Sequence, residues 1–229
     1  MIGEATRILA IRHGQTAWNA TGVVQGHTDI GLDALGLWQA ERLASALADE
    51  PLHAIYSSDL ARARQTAAPL AARHGLAPRL DAGLRERGFG EFEGLTFAQV
   101  EQRWPEQAAA WRRRDANCGA PGGELLRDFA ERAAAAATRL AGAHPGQCIA
   151  LVTHGGVLDV LYRQATRVAL DAPRSWPLAN ASINRLLYSH QGLMLVGWGD
   201  VGHLETAAPA SGRLPCSVSA SSARRRRCR

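Results

Sequence analysis

Short unbroken apolar runs alternate along the chain with longer stretches whose apolar positions recur every three or four residues. Ile8-Leu9-Ala10-Ile11 and Cys148-Ile149-Ala150-Leu151-Val152 are runs of the kind found in strands covered on both faces. The pattern predicts strands over residues 6–12, 54–57, 77–80 and 148–152, and a closing hairpin, 182–189 with 193–198, around Gln191-Gly192. Leu35, Gln39, Leu43 and Leu47 share the four-residue spacing of a helix over 34–48, capped by Asp33. Ser58 or Asp59 caps a second helix, from Leu60 to about His74, which Gly75 ends. Phe97 to Trp104 reads as helix up to Pro105, Glu124 to Ala141 as a strongly one-sided helix, and Val157 to Ala165 as another. Gln15 to Asn19 reads as loop. This order of elements predicts an α/β fold, a three-layer α/β/α sandwich with a mostly parallel central sheet.

Composition adds a boundary and a compartment. The 229 residues are 46% hydrophobic and 21% charged, ordinary for a globular protein. No apolar run reaches the roughly 20 residues that span a bilayer, and Met1-Ile2-Gly3-Glu4 does not open a signal peptide. Cys118, Cys148, Cys216 and Cys228 are scattered and lack Cys-x-x-Cys spacing, so they read as free thiols and not as a zinc site. A cytoplasmic location is expected. The net charge of +5 belongs to the tail: residues 206–229 hold six arginines and no acid, leaving 20 arginines against 21 acids in residues 1–205. The expected organisation is a folded domain over 1–205 and a disordered, basic Ser/Arg-rich tail over 206–229. Arg224 to Arg227 lack interleaved aromatics, so a solvated run is favoured over binding to nucleic acid or a membrane surface. Lysine is absent; fixed positive charge in any site must come from arginine.

Three predicted strands end in groups that can handle a phosphate. Arg12 and His13 follow the first strand, Arg62 lies in the first turn after the second, and His154 with Gly155 follows the strand at 148–152. A doubly wound sheet gathers such strand ends on one rim. Neutral imidazole is a nucleophile near neutral pH, and guanidinium fits phosphate oxygens as a fork. His13 can therefore attack phosphorus, with Arg12, Arg62 and His154 stabilising charge on the equatorial oxygens. Glu86, in the loop after the third strand, can protonate the leaving oxygen and then activate water. No metal or cofactor is required. A rival use of Glu86 is a salt bridge with Arg85 or Arg87.

The ordered set of motifs resembles the histidine phosphatase superfamily, branch 1, also called the phosphoglycerate mutase-like family, over roughly residues 6–200. It comprises Arg12-His13-Gly14-Gln15-Thr16 with Asn19, Gln25-Gly26-His27-Thr28-Asp29, and Ser57 to Thr66 around Arg62. It continues with Leu84-Arg85-Glu86-Arg87, Gly122-Gly123-Glu124 and Thr153-His154-Gly155-Gly156. The resemblance implies that His13 is phosphorylated, that Arg12, Arg62 and His154 form the phosphate pocket, and that Glu86 donates the proton. Asn19, Gln25, Gly26, Arg87 and Gly155 are the further expected phosphate or substrate contacts. Mutase relatives follow the glutamate with His-Tyr-Gly and use a nearby lysine, whereas Arg87-Gly88-Phe89-Gly90-Glu91-Phe92-Glu93-Gly94 follows here. That segment is similar to broad-specificity and ribazole- or sugar-phosphate phosphatases. The expected function is metal-independent hydrolysis of a small phosphorylated metabolite. A 2,3-bisphosphoglycerate-dependent mutase and a phospho-ligand binding module with little catalysis are the alternatives, and a homodimer is left open. Trp18, Phe89, Phe92 and Trp111 either line the substrate pocket or pack in the core; Arg112 to Arg114 is expected to be a solvated helix face.

Overall fold

In the computed structural model, which describes residues 4–205, six strands make one sheet. They are β1 (Thr6–Arg12), β2 (Leu52–Ser57), β3 (Arg79–Leu80), β4 (Cys148–Thr153), β5 (Ile183–Ser189) and β6 (Gly192–Asp200), in the order β3-β2-β4-β1-β5-β6. Strands β1 to β4 run parallel, and β5 and β6 are a hairpin whose β5 lies antiparallel to β1. Parallel neighbours need long crossovers, which helices supply. Helices α2 (Ala34–Ala46) and α3 (Ala61–His74) cover one face; α6 (Leu126–Gly142) and α7 (Gly155–Thr166) cover the other. The two-residue period of a strand sends Leu9, Ile11, Ala150 and Val152 toward α2 and α3, and Ile8, Ala10, Ile149 and Leu151 toward α6 and α7. Both faces of β1 and β4 are thus buried, which is why their sequences are continuous apolar runs. The expected three-layer architecture is the observed one.

Departures from the expected elements have local causes. Residues 17–21 form a short helix, α1 (Ala17–Thr21), with no buried residue. Its stability comes from a capping box between Thr16 and Asn19, which leaves no hydrophobic period to read. Pro105 does not simply stop α4 (Phe97–Arg103) but opens α5 (Pro105–Arg112), since proline's fixed φ and missing N–H suit the first helical position. Neither Ser58 nor Asp59 is the N-cap of α3: Leu60 is, without a side-chain cap. Asp29 reaches across to accept the Ala61 N–H at 2.6 Å, and Asp59 is paired with Arg85 at 2.6 Å. Val100 of α4 and Ala108 of α5 pack with Phe92 and Ala120 into a separate small core with Phe89, Trp104 and Trp111 at its edge. That core stands beside the rim where β1 and β4 end.

No helix among the described residues is long and apolar enough to cross a membrane. Cys118 and Cys148 are free thiols. The expected tail over 206–229, with Cys216 and Cys228, lies outside the described residues.

Candidate active site

Sheet register brings the two key histidines together. Strands β1 and β4 are adjacent and parallel, with Arg12 opposite Thr153, so the next residues, His13 and His154, leave the sheet side by side. Their ring centroids are 5.1 Å apart. Arg62, 1% exposed, extends from the first turn of α3 between them and the loop before α2. Its Nε donates to His154 Nδ1 at 3.2 Å, Nη1 to Thr28 O at 3.0 Å and Nη2 to Gly26 O at 2.7 Å. These bonds settle the proton positions by elimination. Guanidinium only donates, so His154 Nδ1 accepts and Nε2 carries the proton. His13 Nδ1 lies 2.7 Å from Gly14 O; a carbonyl only accepts, so Nδ1 carries the proton and Nε2 keeps its lone pair.

Electrostatics keep that lone pair available. Burial pushes the His13 pKa well below 6.5, and the charges of Arg12 and Arg62 add to the effect. His154 is lowered well below 6.5 in the same way, by burial and then Arg62, His13 and Arg12. Two buried atoms of the cluster, Arg12 Nε and His154 Nε2, have no hydrogen-bond partner. Both are donors, which suits the oxygens of an anion. Since both imidazoles stay neutral when folded but protonate near pH 6.5 when unfolded, the unfolded chain binds more protons below that pH. Thermal stability of the ligand-free protein is therefore expected to fall as pH drops below about 6.5. A His13→Asn variant, followed by calorimetry, should show a shallower fall.

Glu86 occupies the seam of the site. Its Oε1 accepts from Arg87 N at 2.9 Å and its Oε2 from Gly156 N at 3.0 Å, at the N-terminus of α7. The rival salt bridge is not formed, because Arg85 is on Asp59 and Arg87 meets Glu86 only through its backbone. A cavity of about 180 Å³ is lined by His13, Arg12, Arg62, Asn19, Gln25 and Gly26; a second, of about 440 Å³, is walled in part by Arg174, Trp176, Arg114 and Asp159. Arg12, Glu86, Phe89 and Trp111 line both. A phosphoryl group beside His13 would thus place its bridging oxygen near Glu86 and its leaving group in the larger chamber.

Comparison with known proteins gives the family. The sequence pattern of the histidine phosphatase superfamily (branch 1) matches residues 8–201. The chain belongs to that family. Among its relatives, phosphoglycerate mutase-like protein 4 of Arabidopsis thaliana is 38% identical over 206 residues, 88% of each chain. The metal-independent phosphoserine phosphatase of the same plant is 35% identical over 207 residues, 89% of this chain and 85% of the relative. The solved structure of mycobacterial glucosyl-3-phosphoglycerate phosphatase superposes with a TM-score of 0.74 at 35% identity, covering 84% of this chain and 98% of that one.

In this histidine phosphatase the structure brings Arg12, His13, Arg62, Glu86 and His154 into one cluster, but the accessory residues divide by what they touch. Gln25 Oε1 and Asn19 Oδ1 both accept from Thr16 Oγ1, at 3.0 and 3.1 Å, while both residues line the smaller cavity. Gly26 presents its carbonyl to Arg62 and so positions that arginine. Arg87 lines the larger cavity, yet its Nε and Nη2 donate to the carbonyls of Glu124 and Cys118, so those contacts build the wall. Gly155 packs against Arg12, where a Cβ would stand 3.4 Å from Nε.

Several further residues hold the loops of the site in place. Asn180 Nδ2 donates to His13 O at 3.0 Å and to Asn19 Oδ1 at 3.2 Å, from an irregular loop remote in sequence. Thr66 Oγ1 accepts the Gly14 N–H at 2.9 Å, and Glu93 accepts from the backbone of His27, Thr28 and Phe89. The expectation of a solvated Arg112 to Arg114 face needs correction. Arg112 is exposed on Glu101, but Arg114 turns inward at φ 56° and pairs with Asp159 at 2.5 Å. Of the aromatics, Phe89 and Trp111 line both cavities, Phe92 is core, and Trp18 lies against Gly94.

Proposed function

We propose that this chain is a phosphatase that hydrolyses small phosphomonoesters through a phosphoryl group carried on His13. The observation that carries the reading is the buried His13 ring, with Nδ1 fixed on Gly14 O and its face to a cavity rimmed by arginines with Glu86 at the seam. His13 Nε2 attacks phosphorus and the P–O ester bond breaks. Its electron pair goes to the leaving oxygen, which takes the proton from the protonated Glu86 carboxyl. Glu86, now a carboxylate, removes a proton from water as that water attacks phosphorus. The P–N bond breaks, its electron pair returns to Nε2, and inorganic phosphate departs. Arg12, Arg62 and the Nε2–H of His154 stabilise the oxygens of the transferring group throughout. Arginine supplies all the positive charge that these steps require.

The names of the relatives, a phosphoserine phosphatase and a glucosyl-3-phosphoglycerate phosphatase, support a phosphorylated metabolite as substrate. Those of other relatives include probable phosphoglycerate mutase, so the test runs both reactions. Phosphate release from a panel of metabolite phosphomonoesters is measured in EDTA, with conversion of 3-phosphoglycerate to 2-phosphoglycerate followed in parallel with and without 2,3-bisphosphoglycerate. The expected result is metal-independent release with a clear substrate preference and no stimulation by the bisphosphate. Interconversion without release would give the mutase; tight binding without either reaction would leave a phospho-ligand module.

A further inference from the structure

The larger chamber carries more positive charge than a phosphate already bound at His13 would need. Its wall holds four arginines, Arg12, Arg87, Arg114 and Arg174, against the two carboxylates of Glu86 and Asp159. Arg12 belongs to the phosphate cluster and Arg87 is tied to carbonyls. Arg174 is different: it is exposed, lines the chamber, and makes no hydrogen bond or ion pair among the described residues. It stands close enough to Arg12 and Arg114 for its charge to disfavour theirs. Arg114 is held facing this chamber at some cost, since a non-glycine residue at φ 56° is strained. The strain is maintained by its bonds to Asp159 Oδ2 at 2.5 Å and Leu170 O at 2.9 Å.

Two buried polar atoms in the same wall lack partners. Asp159 is 4% exposed, and its Oδ2 is shared by Arg114 and Arg163 while Oδ1 accepts nothing. Trp176 is 8% exposed, and its Nε1–H donates to nothing. Its ring is stacked on Tyr162 at 4.0 Å and lies against the Arg163 guanidinium at 4.7 Å, so the wall is stiff. An unmet buried acceptor and donor beside an unpaired cation describe a polar ligand with charge.

Resting on the phosphatase reading above, we propose that this chamber selects a leaving alcohol that carries a carboxylate, bound by Arg174 with Arg114 behind it. A hydroxyl or ammonium next to that carboxylate donates to Asp159 Oδ1. The site then distinguishes phosphorylated hydroxy and amino acids from phosphate esters of simple alcohols.

The test compares kcat/KM for O-phosphoserine and 3-phosphoglycerate, which hold both groups, with phosphoethanolamine, which lacks the carboxylate, and p-nitrophenyl phosphate, which lacks both. The wild-type protein is expected to favour phosphoserine over phosphoethanolamine by about tenfold or more. Arg174→Gln should bring that ratio close to one through KM, and Arg174→Lys should restore part of it. A wild-type ratio near one, or a ratio that Arg174→Gln leaves unchanged while turnover persists, overturns the inference and leaves the phosphatase standing. Failure of the wild-type protein to hydrolyse any of the four esters removes the phosphatase reading and the inference together.

Discussion

His13→Ala lowers the rate of phosphate release by about 10⁴-fold or more, the scale on which loss of a covalent nucleophile is felt. No neighbour can take over. His154 is close, but its Nδ1 accepts from Arg62 Nε and its Nε2 carries the proton, so neither nitrogen offers a lone pair to phosphorus. The loss is chemical and not structural. The His13 side chain makes one hydrogen bond, to the carbonyl of the next residue, while the loop is held by Gly14 N on Thr66 and by Asn180 on His13 O. Circular dichroism and the melting curve of the variant should therefore stay near those of the wild type. Turnover within tenfold of wild type in a folded His13→Ala protein would mean that water attacks the ester directly.

The second large effect divides by leaving group. With an alkyl phosphate, Glu86→Gln should slow the first turnover by about 10²–10⁴-fold, because an alkoxide needs the proton. With p-nitrophenyl phosphate the first turnover should be close to wild type, since the phenolate leaves unaided, and a burst of one equivalent of nitrophenolate should precede a slow steady state. The slow phase reports the second duty of Glu86, activation of water. Gly156→Ala should reproduce the alkyl-ester defect without removing the carboxylate. A Cβ there would lie 2.1 Å from Glu86 Oε1 and 3.0 Å from Phe129 Cζ, and a shift of about 1 Å costs roughly 10²-fold. Equal losses on alkyl and aryl esters, with no burst, would show that Glu86 positions the substrate and moves no proton.

What could be read from the sequence follows from how locally each feature is determined. The apolar runs at 8–11 and 148–152 announced β1 and β4, because a strand buried on both faces has no room for polar residues. From those ends the sequence places His13, Arg12 and His154 on one rim. The sequence places Glu86 in a loop, but its hold on Gly156 N depends on how α7 meets that loop. Other features were beyond reach for the same reason. Thr66 and Glu93 lie within the quoted motifs, but their hold on Gly14 N and on the 27–28 loop, like that of Asn180 on His13 O, depends on which loops the fold brings together. Helix α1 is maintained by one capping box, and the Ala61 N–H at the start of α3 is met by Asp29, 32 residues earlier in the chain. The inward turn of Arg114 requires a left-handed backbone that nothing in Arg112-Arg113-Arg114 foretells. The candidate phosphate cluster is thus legible from strand ends, whereas the proposed leaving-group chamber is assembled from segments that only the tertiary fold brings together.

Trapping a phosphoryl group on His13 decides between covalent transfer and direct hydrolysis. The Glu86→Gln protein is mixed with radiolabelled p-nitrophenyl phosphate, quenched in alkali during the slow phase, digested and mapped. Close to one equivalent of label is expected on the peptide containing His13, stable in alkali and lost in acid, as a phosphoramidate behaves. Release of nitrophenolate with no protein-bound label, or with label on the peptide containing His154, would contradict covalent transfer through His13.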